Sequence, residues 1–194
     1  MTHTCKLRGA RKDDAADLVR FVCWAGEGMP ELIWADMAAP GQSVMDVGLA
    51  RAAREEGAFS YRNAHLLVEN GQVNAGIVGY GLPEDPVPIG PDFPAAFVPL
   101  QELENLAPGH WYVNVLATVP ERRGAGLGSA LLADAQDRAL KAGHKGMAII
   151  AFASNPGAVR LYKRHGYTET ARRVVDMPGW AHSGTEAILL LKTF

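Results

Sequence analysis

The sequence predicts an α/β fold, and the second half of the chain carries the clearest evidence for it. An apolar run over residues 111–119 precedes a glycine-rich stretch that opens a helical pattern to about residue 142. A second apolar run, over residues 146–153, precedes a shorter helical pattern and then a strand-like segment over residues 167–175. Strands that alternate with helices in this way are typical of α/β domains.

The first half of the chain is predicted to begin with one strand and three helices. Asp13 is the predicted N-cap of the first helix, and Ser43 with Asp46 has the spacing of a capping box, although that box normally uses Glu or Gln. Glycines and a proline over residues 26–30 separate the first two helices. In chain order, the predicted ranges are 4–9, 13–24, 31–38 and 43–56.

A β-hairpin and a long proline-rich segment follow. Residues 65–69 and 73–81 are predicted strands joined by Asn70-Gly71, a pair that readily adopts the positive φ angles of a tight hairpin turn. Residues 83–108 then form a segment too long for an ordinary connection within a compact domain. We interpret it as a Pro-rich flap on the substrate side of the strand that follows.

Composition sets the expected class of protein. The chain has 194 residues and a net charge of −2, from 19 basic and 21 acidic residues, which argues against nucleic acid as a partner. Cys5 and Cys23 lack metal-like spacing, so no metal is expected. No apolar run is long enough for a signal sequence or a membrane span. One cytoplasmic domain over residues 1–194, with no membrane partner, is therefore the expectation.

The glycine-rich loop, Arg123-Gly124-Ala125-Gly126-Leu127-Gly128-Ser129, has the features of a phosphate site at a helix N-terminus. A nucleoside-triphosphatase loop is excluded because Ser129, and not Lys, follows the last glycine. A dinucleotide-binding fingerprint, Gly-x-Gly-x-x-Gly/Ala, is excluded because Ser129 would occupy its last position. The next strand also lacks the acidic residue that binds a ribose in such proteins. The pattern Arg-x-x-Gly-x-Gly fits the pyrophosphate arm of coenzyme A.

A second motif occupies the shorter helix. Asn155 is placed to be its N-cap and Pro156 its first residue, and Gly166 ends it. One helix face carries four residues at positions i, i+3, i+4 and i+7, namely Ala158, Leu161, Tyr162 and His165. Capping alone would account for Asn155, and packing alone would account for Tyr162.

Together the two motifs resemble those of the GNAT superfamily of N-acetyltransferases. The matching residues of the second motif read Asn-x-x-Ala-x-x-Leu-Tyr-x-x-x-Gly-aromatic, from Asn155 to Tyr167, and those of the first are Pro120, Arg123, Gly126 and Gly128. The resemblance implies a mixed, mostly antiparallel central sheet of about six to seven strands, flanked by about four helices. It also implies a splayed strand pair that holds coenzyme A.

The resemblance implies an enzyme that moves an acetyl group from acetyl-CoA to a primary amine of a small molecule or of a peptide or protein, by direct attack. Tyr162 would be the general acid for the leaving thiolate. The implied cofactor-binding residues are Leu116, Ala117, Thr118, Arg123, Gly124, Ala125, Gly126, Leu127, Gly128, Ser129, Asn155, Ala158 and Tyr162. The alternatives are a coenzyme-A-binding regulatory module without turnover and an acyltransferase for a different acyl-CoA, and a homodimer is an open expectation.

The expected reaction needs a general base, a group that removes a proton from the attacking amine. This sequence lacks an acidic residue at the positions where many relatives have that base. They often place a Glu on the strand before the loop or on the next one, but residues 111–119 and 147–152 contain no acid. The nearest candidates are Glu102, Glu104 and His110. We choose Glu104 as the base because a carboxylate on a closing flap would gain a raised pKa from burial. His110 and an ordered water are the alternatives.

The acceptor site is the least defined part of the sequence. Aromatic and polar residues of the first helices could line a pocket, although such residues more often form core: Trp24, Glu27, Met29, Trp34, Phe59 and Tyr61. The segment 177–184, with Trp180 and His182, is expected to be exposed and to rim the acceptor site or a dimer contact.

Overall fold

The computed structural model describes residues 5–194, which contain seven strands and six α-helices. The strands are β1 Lys6–Gly9, β2 Ala64–Glu69, β3 Gln72–Gly81, β4 Trp111–Thr118, β5 Gly146–Phe152, β6 Thr168–Val175 and β7 Thr185–Thr193. The helices are α1 Ala15–Ala25, α2 Met29–Met37, α3 Val44–Ala52, α4 Val98–Glu104, α5 Leu127–Lys141 and α6 Pro156–Arg164.

The strands form one mixed sheet in the order β1-β2-β3-β4-β5-β7-β6. The β1–β2, β2–β3, β5–β7 and β6–β7 pairs are antiparallel, whereas β4 and β5 are parallel. This confirms the predicted fold class and the expected number of strands. The chain divides into two compact units, one of residues 5–79 with 114–134 and one of residues 80–113 with 135–194.

The first unit has its own apolar core beneath the β2–β3 hairpin. Phe21 of α1 and Leu66 of β2 are both fully buried in this core. Trp34 of α2 stacks on Phe59, with ring centroids 6.2 Å apart, and a Cβ at Gly48 would come within 2.4 Å of the Trp34 ring. Gly48 is therefore what lets α3 approach α2 closely.

Local sequence signals in the first unit are largely confirmed. Asn70 and Gly71 have φ angles of 52° and 78°, as the hairpin turn requires. Ser43 and Asp46 form the predicted capping box, but α3 ends at Ala52 and not at residue 56. Residue 4 of the predicted first strand lies outside the described residues.

The predicted cap of the first helix is wrong by one residue. Asp14, not Asp13, is at the N-cap position of α1, and its side chain makes no capping hydrogen bond to that helix. Its carboxylate instead accepts the backbone N–H of Arg11 and the guanidinium of Arg8, each at 2.7 Å. A short 3₁₀ turn over Lys12–Asp14 then leads into α1. The ion pair between Arg8 and Asp14 spans β1 and the turn before α1, so a local capping pattern does not reveal it.

The second unit contains two elements that the sequence did not predict. Helix α4 lies inside the proline-rich segment, with Leu103 fully buried, and it packs on β6 and β7. The carboxamide of Asn105 accepts the backbone N–H of Val87 and donates to its carbonyl, each at 2.9 Å, which ties the segment to the end of α4. The segment is therefore not a loop throughout.

The second element is the last strand, β7, which the sequence analysis did not predict.

The segment 177–184 is exposed as expected at five of its eight residues, namely Pro178, Gly179, Ala181, Ser183 and Gly184, but not at its two large side chains. Met177 and Trp180 are buried, and the Trp180 ring meets Phe152 edge-on, with centroids 4.9 Å apart. Burial of the indole against β5 makes this segment part of the packing of the second unit.

Candidate active site

The glycine-rich loop leads into α5, as the sequence predicts. Gly124 and Gly126 have φ angles of +81° and +82°, which L-amino acids with side chains rarely adopt. A Cβ at either glycine would meet no atom within 4 Å, so both face open space. The N–H groups of the first turn of any α-helix lack intrahelical acceptors. The loop therefore presents exposed backbone beside the start of α5, an arrangement that suits an anion.

Two adjacent arginines at this loop have different surroundings. The guanidinium of Arg122 is ion-paired with Glu69 at the end of β2, and only 12% of the Glu69 side chain is exposed. Arg123 is exposed, and among residues 5–194 no carboxylate lies within ion-pair distance of it. Arg122 thus joins the loop to the hairpin, while the guanidinium of Arg123 is exposed to solvent.

Strand β4 leads into this loop. Its parallel register with β5 in the described chain consists of three pairs, from Trp111↔Met147 to Val113↔Ile149. Farther along, the N–H of Val119 donates to the carbonyl of Asn74 on β3 at 2.9 Å. Leu116 and Thr118 are partly buried on one face of β4, and Ala117, on the other face, is buried in the core of the first unit.

The second motif forms the predicted capped helix. The side-chain oxygen of Asn155 accepts the backbone N–H of Ala158 at 3.0 Å, and Pro156 is the first residue of α6. Gly166 has a φ angle of +84° and follows the end of the helix. The role of Asn155 as the N-cap is confirmed.

Tyr162 lies in the second unit on the buried face of α6. Burial alone raises the pKa of its hydroxyl well above the ordinary value, so the hydroxyl keeps its proton at neutral pH. The ring of Tyr167 lies next to it, with centroids 6.0 Å apart. The Tyr167 hydroxyl donates a hydrogen bond to the sulfur of Met147, with 3.3 Å between the two atoms. The two neighbouring tyrosines therefore differ in their surroundings.

Glu104 is the last residue of α4 and is partly buried. Burial raises the pKa of its carboxyl to about 7, and a hydrogen bond from Tyr112 acts in the opposite direction. The base candidate is therefore held on a packed helix and not on a mobile flap. Glu102, two residues earlier, forms an ion pair with Arg173 at 2.5 Å.

His110, the alternative base, is buried beside the start of β4. Its Nδ1 lies 3.1 Å from the carbonyl oxygen of Pro108, and its ring lies against Gly146, where a Cβ would come within 3.0 Å. These contacts are those of a packed histidine and provide a structural reason for its presence.

Tyr112 and Tyr80 complete a cluster that the sequence did not predict. Tyr112 is hydrogen-bonded to Glu104, and its hydroxyl is within electrostatic range of those of Tyr80 and Tyr162. We refer to Tyr80, Glu104, Tyr112 and Tyr162 as the Glu104 cluster. No local pattern links these residues, because they come from β3, α4, β4 and α6.

Three candidate acceptor residues belong to the core. Met29, Trp34 and Phe59 are all buried, which agrees with the alternative that such residues form core and not a pocket. Glu27 has a φ angle of 51°, an uncommon backbone conformation for a residue with a side chain, at the junction of α1 and α2.

The sequence profile of the acetyltransferase (GNAT) family matches residues 30–167, a range that includes the glycine-rich loop, α6 and the Glu104 cluster. The chain belongs to the GNAT acetyltransferase family. It is therefore an acyltransferase. A comparison with proteins of curated function finds no match.

Solved structures of low sequence identity share the GNAT fold. An N-acetyltransferase from Staphylococcus aureus Mu50 has a TM-score of 0.64 at 16% identity, over 96% of this chain and 100% of its own. The ribosomal-protein-S18-alanine N-acetyltransferase from Escherichia coli has a TM-score of 0.60 at 16% identity, over 98% and 94%. A protein from Bacillus anthracis str. Ames, solved in complex with acetyl coenzyme A, has a TM-score of 0.50 at 16% identity, over 68% and 61%.

Two kinds of feature are absent from residues 5–194. None of the helices there combines the length and the apolar character that a membrane crossing requires. In the same part of the chain, no group of three or more His, Cys, Asp or Glu side chains is arranged to hold a metal ion.

Proposed function

We propose that this GNAT acyltransferase moves an acetyl group from acetyl-CoA to a primary amine by direct attack of the amine on the thioester. The observation that carries the proposal is the open glycine-rich loop, in which Gly124 and Gly126 have positive φ angles and unfilled Cβ positions. Such a loop at a helix start fits a pyrophosphate, and coenzyme A contains one. The relative from Bacillus anthracis str. Ames, which was solved with acetyl coenzyme A, supports the choice of acetyl donor.

The residues proposed to bind coenzyme A are those that the GNAT motifs mark. Arg123 contributes its free charge to a phosphate, and the backbone over residues 124–129 donates N–H groups to the pyrophosphate. Backbone groups of Leu116, Ala117 and Thr118 bind the pantetheine arm, and Asn155 and Ala158 contribute from the start of α6. The bound thioester supplies an activated acetyl carbon, and the protein supplies orientation and proton transfer.

Glu104 is the proposed general base. An alkylammonium with a pKa of about 10.4 must lose a proton before its nitrogen can attack. Because the carboxyl of Glu104 has a pKa of about 7, most of it is ionised at slightly alkaline pH, yet it is more basic than an exposed carboxylate. A base whose pKa lies near the working pH is effective because much of it is ionised while it still accepts a proton readily. His110 is the weaker candidate because its ring is packed against Gly146.

Tyr162 is the proposed general acid. Glu104 takes the proton that the ammonium loses before attack and passes it to solvent. As the neutral nitrogen then forms the C–N bond and the C–S bond breaks, a second N–H proton leaves to solvent, and the sulfur receives a proton from the Tyr162 hydroxyl, which solvent restores. The raised pKa of Tyr162 means that the hydroxyl is protonated, and so able to act as a donor, at the working pH.

Release of free coenzyme A thiol tests the proposed function. The protein is incubated with acetyl-CoA and with small-molecule amines or peptides bearing a free N-terminus, and thiol is followed with and without each acceptor. We expect thiol release that requires an amine and yields an N-acetyl product. Binding of coenzyme A without thiol release for any acceptor would contradict turnover and support a binding module. Release only from a longer or charged acyl-CoA would contradict the acetyl donor.

A further inference from the structure

The buried face of α3 carries a charged residue at a position where an apolar one is expected. This face has the spacing i, i+3, i+4 and i+7, and its residues are Val44, Val47, Gly48 and Arg51. Val47 belongs to the core of the first unit, and Gly48 lies against the ring of Trp34 on α2. Arg51 therefore extends an otherwise apolar stripe, and either a structural role or a ligand must account for its charge.

The guanidinium of Arg51 has little to compensate its charge within residues 5–194. Its Nη1 lies 3.9 Å from the sulfur of Met37, which is a weak acceptor, and its Nε is buried with no hydrogen-bond partner among the described residues. No carboxylate in this part of the chain lies within ion-pair distance of the guanidinium. The side chain as a whole is only partly buried, so a ligand can reach it.

The neighbouring charged groups are fixed by other contacts. Arg54 donates its Nε to the Arg51 carbonyl at 3.2 Å and its Nη2 to the carbonyl of Phe59 at 3.3 Å, so a second cation is held beside the first. The carboxylate of Glu55, the next residue, binds Arg62 at 2.7 Å. Burial and Arg54 both lower the pKa of Arg51, which means that these surroundings disfavour its charge.

Arginine cannot relieve an unfavourable charge by losing its proton at neutral pH. A location in the last turn of a helix favours a cation, and an aliphatic stem can pack in a core while its head reaches water. Neither effect provides an acceptor for the guanidinium of Arg51. A carboxylate ligand would provide one, because it binds a guanidinium through charge-assisted hydrogen bonds that can be bidentate.

We propose that Arg51 is the centre of a binding site for a carboxylate at the C-terminal end of α3. Helix α3 packs on α1, and the core that they share also contains Val115 and Ala117 of β4, the strand proposed to hold the pantetheine arm. The carboxylate of an amino acid that serves as acceptor is one source of the ligand, and this source rests on the proposed function. A free carboxylic acid that is not acetylated is the other source and does not depend on that function.

The substitution Arg51→Met tests the site in the absence of substrate. Met keeps an apolar stem on the buried face and removes the charge, so the melting temperature of the ligand-free protein should stay the same or rise. Sodium butanoate should raise the melting temperature of the wild type above its value in sodium chloride of equal ionic strength, and should not do so in Arg51→Met. Arg62→Met is the control, because Arg62 already binds Glu55, and it should respond to butanoate as the wild type does.

Two outcomes of this experiment would overturn the proposal. A lower melting temperature of ligand-free Arg51→Met, or a variant that does not fold, would show that the cation serves the structure and not a ligand. An equal response of the wild type and Arg51→Met to butanoate would show that the carboxylate binds elsewhere or not at all.

Acceptor selectivity distinguishes the two sources of the carboxylate. The kcat/KM of thiol release is measured for glycine, 4-aminobutanoate and 6-aminohexanoate and for their carboxamides, which keep the size but lack the charge. An acceptor carboxylate at Arg51 should make the wild type prefer at least one acid over its amide by about tenfold, and Arg51→Met should lose this preference. No preference in the wild type, together with the butanoate effect, would assign the site to a free carboxylic acid. Absence of thiol release with every amine would contradict the proposed function, and the butanoate measurement would still decide the site.

Discussion

The guanidinium of Arg122 is ion-paired with the carboxylate of Glu69, and this pair joins the entrance of the glycine-rich loop to the end of β2. The next residue, Arg123, is exposed and has no such partner among residues 5–194. The two neighbouring arginines therefore differ in their surroundings, and we propose that they differ in their roles, with Arg122 structural and Arg123 directed at a phosphate.

This division predicts opposite effects for the two arginines. Arg123→Ala should weaken coenzyme A binding by roughly tenfold to a hundredfold, as expected for loss of a charged hydrogen bond to phosphate, with little change in melting temperature. Arg122→Ala should lower the melting temperature, because it leaves the mostly buried Glu69 carboxylate without its ion-pair partner, and should change affinity by less than about threefold. Calorimetric titration with coenzyme A checks both. Equal losses of affinity would contradict the division.

Gly126 and Gly143 offer a matched pair for testing the phosphate loop. Both have φ angles near +80° and open space where a Cβ would lie, and they flank opposite ends of α5. Alanine at either position should cost about 1–2 kcal/mol of stability from the strained backbone. Only Gly126→Ala should also reduce the stabilisation by coenzyme A, which is about 2.7 kcal/mol for the wild type at 100 times the dissociation constant.

Thermal unfolding of the wild type, Gly126→Ala and Gly143→Ala, each with and without coenzyme A, measures the stabilisation by the ligand. Equal ligand-induced stabilisation in the two variants would show that the phosphates do not bind at this loop. An unchanged melting temperature of the wild type at saturating coenzyme A would contradict cofactor binding itself.

Tyr162→Phe should keep cofactor affinity and lower kcat by about 10²-fold, because the leaving sulfur loses its proton donor. Tyr167→Phe is the control, since its ring lies 6.0 Å from that of Tyr162 and its hydroxyl contacts Met147. Pre-steady-state thiol release measures the chemical step in each. A Tyr162→Phe rate within twofold of the wild type, with chemistry rate-limiting, would return Tyr162 to a packing role.

Features encoded by neighbouring residues could be predicted from the sequence. The hairpin turn at Asn70-Gly71, the cap of α6 by Asn155 and the glycine-rich loop at the start of α5 each depend on a few adjacent residues. Backbone conformation and capping are local physical effects, so the sequence pattern suffices to identify them.

Features that depend on tertiary packing could not be predicted. Helix α4 lies in a proline-rich segment and is stabilised by burial of Leu103 in the second unit. Its position brings Glu104 to Tyr112, and no residue spacing reports that contact. The choice of Glu104 came from its nearness in sequence to the strand, whereas its packed helical setting and its tyrosine partner are visible only in the structure.

The raised pKa of Glu104 also predicts a pH-dependent change in stability. In the unfolded chain this carboxyl titrates near 4.5, and in the folded protein near 7, so the folded state holds the proton more tightly. The Glu104 carboxyl therefore does not reduce the stability of the folded protein below about pH 4.5, and it destabilises the folded protein as the pH rises through 7. Glu104→Gln should match the wild type near pH 4.5 and be more stable by about 1–3 kcal/mol at pH 8. Urea unfolding at the two pH values checks this, and a variant less stable at pH 8 would contradict the burial of the charge.

The most direct test of the account is the pH dependence of amine-dependent thiol release by the wild type and Glu104→Gln. Glu102→Gln is the control, since it removes a carboxylate from the same helix, one that pairs with Arg173. We expect Glu104→Gln to lose the acid limb near pH 7, with a rate deficit of about 10²-fold at pH 7.5. This deficit should shrink at pH 9 and above, where more amine is already neutral, and Glu102→Gln should keep the wild-type profile. A deficit of the same size at every pH, or no deficit, would contradict the assignment of Glu104 as the base.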